Sequence, residues 1–120
     1  MGLTDFGRTV RKARLDAKET LSTMAKSLGV SPAFLSAMET GRKKIPAEWV
    51  KNITQFFLER GIEVKDLDIY ADISNKNTSL EGCSPQQQML IAGFARSNFD
   101  AATLEKFADL LGAGVKKNNE

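Results

Sequence analysis

Apolar residues recur at helical spacing along almost the whole chain. Phe6, Val10, Ala13 and Ala17 stand at i, i+4, i+7 and i+11, which predicts an amphipathic helix over Thr4–Ala17 capped by Thr4 or Asp5. Leu21, Met24, Ala25 and Leu28 mark a second helix with Thr20 as N-cap. Gly29 ends it, because glycine takes the left-handed conformation at a helix C-terminus without a Cβ clash. After Val30, Ser31-Pro32 places a serine N-cap before a proline at the first helical position, a start signal for a third helix. That helix carries Phe34, Leu35 and Met38 and ends at Gly41. Ile45-Pro46 opens a fourth, with Trp49, Val50, Ile53, Phe56 and Phe57, closing near Gly61. Val64–Tyr70 predicts a short fifth helix or a turn.

Ser74–Gly82 is polar and poor in large apolar groups, the pattern of a linker. Ser84-Pro85-Gln86-Gln87 then combines a serine N-cap, a proline at N1 and a glutamine at N3, which reads as a capping box. Asp100 caps a last helix with Leu104, Phe107, Ala108 and Leu111 on one face. Gly112 and Gly114 end it, and Lys116–Glu120 is expected to fray. The expected fold is all-α. Residues 1–73 form a five-helix domain, 74–83 a linker, and 84–120 a helical hairpin.

Composition narrows the chemistry. Of 120 residues, 42% are apolar and 27% charged, the balance of a folded globular protein. There is no histidine and only one cysteine, Cys83. His-dependent triads, His or thiolate metal sites and an intramolecular disulfide are therefore excluded, and neither a metal nor a cofactor is expected. The longest apolar-or-glycine run, Met89–Ala95, is too short to span a bilayer. Asp5 and Arg8 stand where a signal peptide needs an apolar core, so a cytoplasmic location is expected. Residues 1–60 hold 11 Lys/Arg against 6 Asp/Glu, whereas residues 61–120 hold 6 against 9. A basic first half joined to an acidic second half directs a polyanionic partner to the first.

The segment from Thr20 to Pro46 is the most informative. Two short helices joined by Gly29-Val30-Ser31 cross at a wide angle, because the glycine permits a sharp exit and the serine starts the next helix at once. Ala25 lets the two approach closely, with Leu28, Val30, Leu35 and Met38 packed between them. The second helix is left protruding, and a helix fits the major groove. The string Ala25-x-x-Leu28-Gly29-Val30-Ser31-x-x-x-Leu35-Ser36-x-x-Glu39-x-Gly41-x-x-x-x-Pro46 resembles the lambda-repressor/Cro (XRE) family of helix-turn-helix DNA-binding proteins. The resemblance covers roughly Leu3–Leu58 and implies a lambda-repressor-like domain.

What the resemblance implies transfers position by position. An Arg at the end of the family's first helix pairs with a Glu near the end of the recognition helix, here Arg14 and Glu39. Such a pair is scaffold rather than acid catalyst. The family reads bases from the first, second and sixth positions of the recognition helix, here Pro32, Ala33 and Ala37, none of which carries a side-chain hydrogen-bonding group. The glutamine often found near the start of the preceding helix is replaced by Leu21. Ala33 and Ala37 either touch thymine methyl groups or simply allow close approach, and Ser36 and Thr40 are within reach of bases or phosphates. Thr20, Ser22 and Ser31, at helix N-termini, and Arg42, Lys43 and Lys44, directly after the recognition helix, are candidate phosphate contacts. Arg8, Arg11 and Lys12 are either further contacts or a solvated face.

Trp49, Phe56 and Phe57 belong to a core face rather than a stacking platform for single strands. Met89, Leu90, Ile91 and Phe94 cover too much of one helix for a one-sided surface element and suggest a partner, either the last helix or another subunit. One helix-turn-helix unit reads few base pairs, so a homodimer on a palindromic operator is expected, joined through Met89, Leu90, Ile91, Phe94, Leu104, Phe107 and Leu111. The function expected is sequence-specific duplex DNA binding by a transcriptional regulator, a repressor of a phage or mobile element. The alternative is a DNA-binding antitoxin whose hairpin binds a toxin. No nucleophile–base pair, phosphate loop or metal set suggests an enzyme.

Overall fold

The computed structural model describes residues 2–112. Gly114, expected as a helix stop, and Lys116–Glu120, expected as a frayed end, lie outside them. Among the described residues there are seven helices and no strand. None of these helices is long and apolar enough to cross a membrane. The chain divides into two compact units, one ending at Thr78 and the other beginning at Ser79.

The first unit holds α1 (Asp5–Asp16), α2 (Leu21–Leu28), α3 (Pro32–Glu39), α4 (Ala47–Leu58) and α5 (Leu67–Asn75). Each of the first three begins on a hydroxyl cap. Thr4 accepts from Gly7 N–H, Thr20 from Thr23 N–H and Ser31 from Phe34 N–H. Thr23 also bonds back to the Thr20 N–H, so the reciprocal capping box of this chain sits on α2. Gly29 is left-handed (φ 77°) and lets Val30 N–H return to Ala25 O at 3.0 Å, which closes α2 just before Ser31 opens α3. Phe6, Val10, Met24, Ala25, Leu35, Met38, Ile53, Phe56, Phe57, Leu67 and Ala71 fill one core to which all five helices contribute. Leu28 and Val30, expected inside it, pack on its rim and stay partly exposed.

Gly7 marks the tightest crossing in the unit. A Cβ placed there would lie 2.0 Å from the main-chain oxygen of Glu39, so α1 can rest on the end of α3 only without a side chain. The same Glu39 oxygen accepts from Thr4 N–H at 3.1 Å and from the Thr4 hydroxyl at 3.0 Å.

The fifth helix differs from its expected place. It begins at Leu67 and runs to Asn75, so Val64 lies in the approach to it, while Ser74 and Asn75, expected in the linker, form its last turn. Asp66 at its N-cap is left-handed (φ 61°), which turns the chain out of the Val64–Lys65 approach and delays the helix. The tertiary anchor at its end is Asn75. Its side chain accepts from Ile45 N–H at 2.8 Å and donates to Ile45 O at 2.9 Å, the pairing that a neighbouring strand would make.

The second unit holds α6 (Pro85–Arg96) and α7 (Ala101–Leu111), capped by Ser84 and Asp100. Ser84 accepts from Gln87 N–H, but the side chain reaching back over the cap is that of Gln88, which donates to Cys83 O at 3.0 Å. The expected reciprocal box of Ser84 and Gln87 is therefore replaced by a longer return from one residue further on. Phe94, Phe99 and Phe107 form a triangle of rings with centroids 5.1 to 5.2 Å apart. Phe99, in the connection between α6 and α7, completes it.

Because Gly7 faces main chain rather than a movable side chain, Gly7→Ala should destabilise the first unit by about 3 kcal/mol or more, the upper range for overpacking. Urea unfolding followed by the fluorescence of Trp49, the only tryptophan, measures it. An unchanged midpoint would show that α1 and α3 separate at no cost.

Candidate nucleic-acid interface

Arg14 and Glu39 meet inside the first unit. The guanidinium donates to both carboxylate oxygens, at 2.6 and 3.2 Å, and both side chains are more than nine-tenths buried. The fork geometry fixes the orientation of the two planes as well as their distance. Together with the bonds from Thr4 to the Glu39 carbonyl, it fastens the C-terminal turn of α3 to both ends of α1.

With that turn held inward by Leu35, Met38 and Glu39, the opposite side of α3 faces out. Pro32 and Ala33 are exposed, and Ser36 and Ala37 are half-buried. Thr40, expected at a phosphate, spends its hydroxyl proton within the helix by donating to Ser36 O at 3.0 Å. Thr20, Ser22 and Ser31 are exposed at the starts of α2 and α3. A groove of about 700 Å³ runs between these elements, lined by Leu3, Arg11, Leu15, Leu21, Ser36 and Thr40 among others.

Gly41 (φ 80°) reverses the chain after α3, and the N–H groups of Arg42 and Lys43 both return to Ala37 O, at 2.9 and 3.1 Å. The basic loop is thereby fixed to α3, the helix it follows. Its three cations are exposed but not equivalent. The Lys43 ammonium lies 5.4 Å from the centre of the Phe34 ring, and Phe34 packs edge-on against Trp49. The Lys44 ammonium donates to Asn75 O at 3.1 Å, at the carbonyl end of α5. Lys44, a candidate phosphate contact by position, is thus engaged as a tie to α5. Arg8 pairs with Asp5 at 2.9 Å on the exposed face of α1.

The start of α2 is held by a second ion pair. Glu19 accepts from the Thr23 hydroxyl at 2.6 Å and from Arg60 Nε at 2.9 Å, and Arg60 lies over the Phe56 ring at 3.6 Å. The Thr23 hydrogen bond, and then Arg60, hold the Glu19 carboxyl below its ordinary value of 4.5. Glu19, Arg60, Phe34 and Asn75 carry no functional signal in the sequence. An asparagine at the end of a helix is a cap signal, but its partner Ile45 lies 30 residues away.

Residues 5–63 match the family described as helix-turn-helix domain. Neither a curated protein nor a solved structure matches the chain. The segment 5–63 belongs to that family, and its class is that of helix-turn-helix DNA-binding domains, consistent with an XRE-like protein.

Removing the carboxylate while keeping Arg14 leaves a buried cation without a partner. Glu39→Ala should therefore cost about 3 to 5 kcal/mol. Thermal unfolding monitored at Trp49 checks this, and a melting temperature equal to that of the parent would mean that the pair contributes nothing to the fold.

Proposed function

We propose that the chain is a sequence-specific, double-stranded DNA-binding transcriptional regulator that acts as a dimeric repressor. The observation that carries this reading is the outward row of α3, with Pro32, Ala33, Ser36 and Ala37 beside a basic loop fastened to the same helix, in a segment matching the helix-turn-helix family. Pro32, Ala33, Ser36 and Ala37 face the bases. Thr20, Ser22, Ser31, Thr40, Arg42, Lys43 and Lys44 lie along the phosphates, Lys44 by exchanging Asn75 O for a phosphate oxygen. The likeness to lambda-repressor/Cro proteins supports work in the cytoplasm on behalf of a phage or mobile element.

Dimerisation is assigned to the segment after the linker, 84–120. Met89, Leu90, Phe94, Leu104 and Leu111 are exposed, with Ile91 and Phe107 half-buried beside them. Among the described residues, neither α6 nor α7 contains a buried side chain. A two-helix hairpin of this size does not bury two apolar faces alone, and a second copy covers them symmetrically. Two recognition helices about 34 Å apart then match a palindromic operator.

Two measurements test the reading. Arg42→Gln combined with Lys43→Gln should weaken binding similarly across sequences. It should also reduce the slope of log affinity against log salt by about 0.9 for each phosphate that is no longer neutralised. An unchanged slope would put the docking face elsewhere. A fragment truncated after Gly82 should be monomeric by solution mass and bind its operator more weakly than the full chain. A fragment that stays dimeric and binds equally well would remove the hairpin from the interface. A full-length chain that is monomeric alone and pairs only with a co-expressed small basic protein would favour the antitoxin reading.

A further inference from the structure

We propose that this interface identifies its operator through the C5 methyl groups of thymine, using an apolar strip made of Ala33, Ala37 and Leu21. The inference rests on the duplex-DNA reading above and names what that site recognises.

The outward side of α3 carries few polar atoms free to read a base. Residues four apart share a row on a helix, so Ala33 and Ala37 form one row and Pro32, Ser36 and Thr40 the row beside it. Pro32, Ala33 and Ala37 have no polar side-chain atom. The Thr40 proton is committed to Ser36 O, and the Ser31 oxygen accepts the cap bond from Phe34 N–H. The Ser36 hydroxyl and the Ser31 proton remain, and a rotatable hydroxyl serves any base edge equally. Distinguishing base pairs by hydrogen bonds takes two groups at fixed spacing, as an arginine on guanine or an amide on adenine provides. The outward rows of α3 offer no such pair.

The preceding helix does not supply one either. Its first residue is Leu21, half-buried on the core and lining the same groove as Ser36 and Thr40. Leu15, which also lines that groove, is 71% exposed. Apart from the Ser36 hydroxyl, the side chains of α3 and the first side chain of α2 proposed at the base edges are therefore apolar. In the major groove the feature that apolar contact discriminates is the methyl group of thymine. Alanine suits this contact, because its single methyl lets the helix backbone come close enough to touch that group. The caps of α2 and α3 and the basic loop fix the register on the phosphates, so the methyl contacts decide where along the duplex the protein stops.

The test changes the DNA and leaves the protein intact. A site selected by the full-length protein from a random duplex pool is synthesised with thymidine, and again with deoxyuridine at every thymidine of the site. This removes the methyl groups and keeps the pairing edges. The deoxyuridine form should bind about fourfold more weakly for each contacted thymine, the factor for burying one methyl-sized group. Random duplex should bind equally with either nucleoside. Leu21→Ala, with its fold confirmed by Trp49 fluorescence, should narrow the difference between the two forms. If the two forms bind equally while the selected site is still preferred over random duplex, methyl readout is overturned and the DNA-binding reading stands. A selected site without thymine overturns it as well. If no duplex is preferred over random sequence, both readings fall. An undiminished difference in the Leu21→Ala variant overturns the place of Leu21 in the strip.

Discussion

Polar groups taken out of water need their hydrogen-bonding capacity filled where they stand, and at Glu39 this is done separately for the carboxylate and for the main-chain carbonyl. Arg14 occupies both side-chain oxygens, and Thr4 donates twice to the main-chain oxygen. Both donors come from α1 or its cap, so one helix holds the last turn of α3 by its side chain and its backbone at once. The close contact at Gly7 follows, since the two bonds from Thr4 draw the start of α1 onto that carbonyl. The loop after α3 inherits the constraint, because the Arg42 and Lys43 amides bond to Ala37 O, two residues before Glu39. A displacement of Glu39 would therefore move α3 and the basic loop together.

The loop is held at its other end by a second device. Asn75 pairs with both main-chain groups of Ile45 and receives Lys44 on its own carbonyl. An irregular segment between two helices leaves main-chain donors and acceptors without regular partners, and a side-chain amide offers one of each. Because α5 ends at this amide, the fifth helix contributes to the geometry of the basic loop as well as to the core through Leu67 and Ala71.

Much of this was legible in the sequence wherever the controlling interaction is local. Thr20, Ser31, Ser84 and Asp100 cap the helices expected of them, because a cap bond spans three residues and depends on one side chain. Gly29 closes α2 for the same reason. The pairing of Arg14 with Glu39, 25 residues apart, was reached through resemblance to a family and not from spacing. The contact of Gly7 with a carbonyl, the reach of Asn75 to Ile45 and the placement of Lys43 over Phe34 were not legible. Each joins groups brought together by the packing of whole helices, and a glycine, an asparagine or a lysine looks the same in sequence with or without such a partner. The late start of α5 belongs with these, since a left-handed Asp66 has no sequence signature as clear as a glycine.

The two sides of α3 answer to different requirements. Leu35, Met38 and Glu39 are bound by the interior, where most replacements lower stability and are purged from a lineage. Ala33 faces outward and bears little of that burden. Substitutions on the inner side therefore cost stability, whereas substitutions on the outer side leave the fold standing. A duplicated copy can then acquire a new binding site by a few outward substitutions, without first losing the scaffold that presents them.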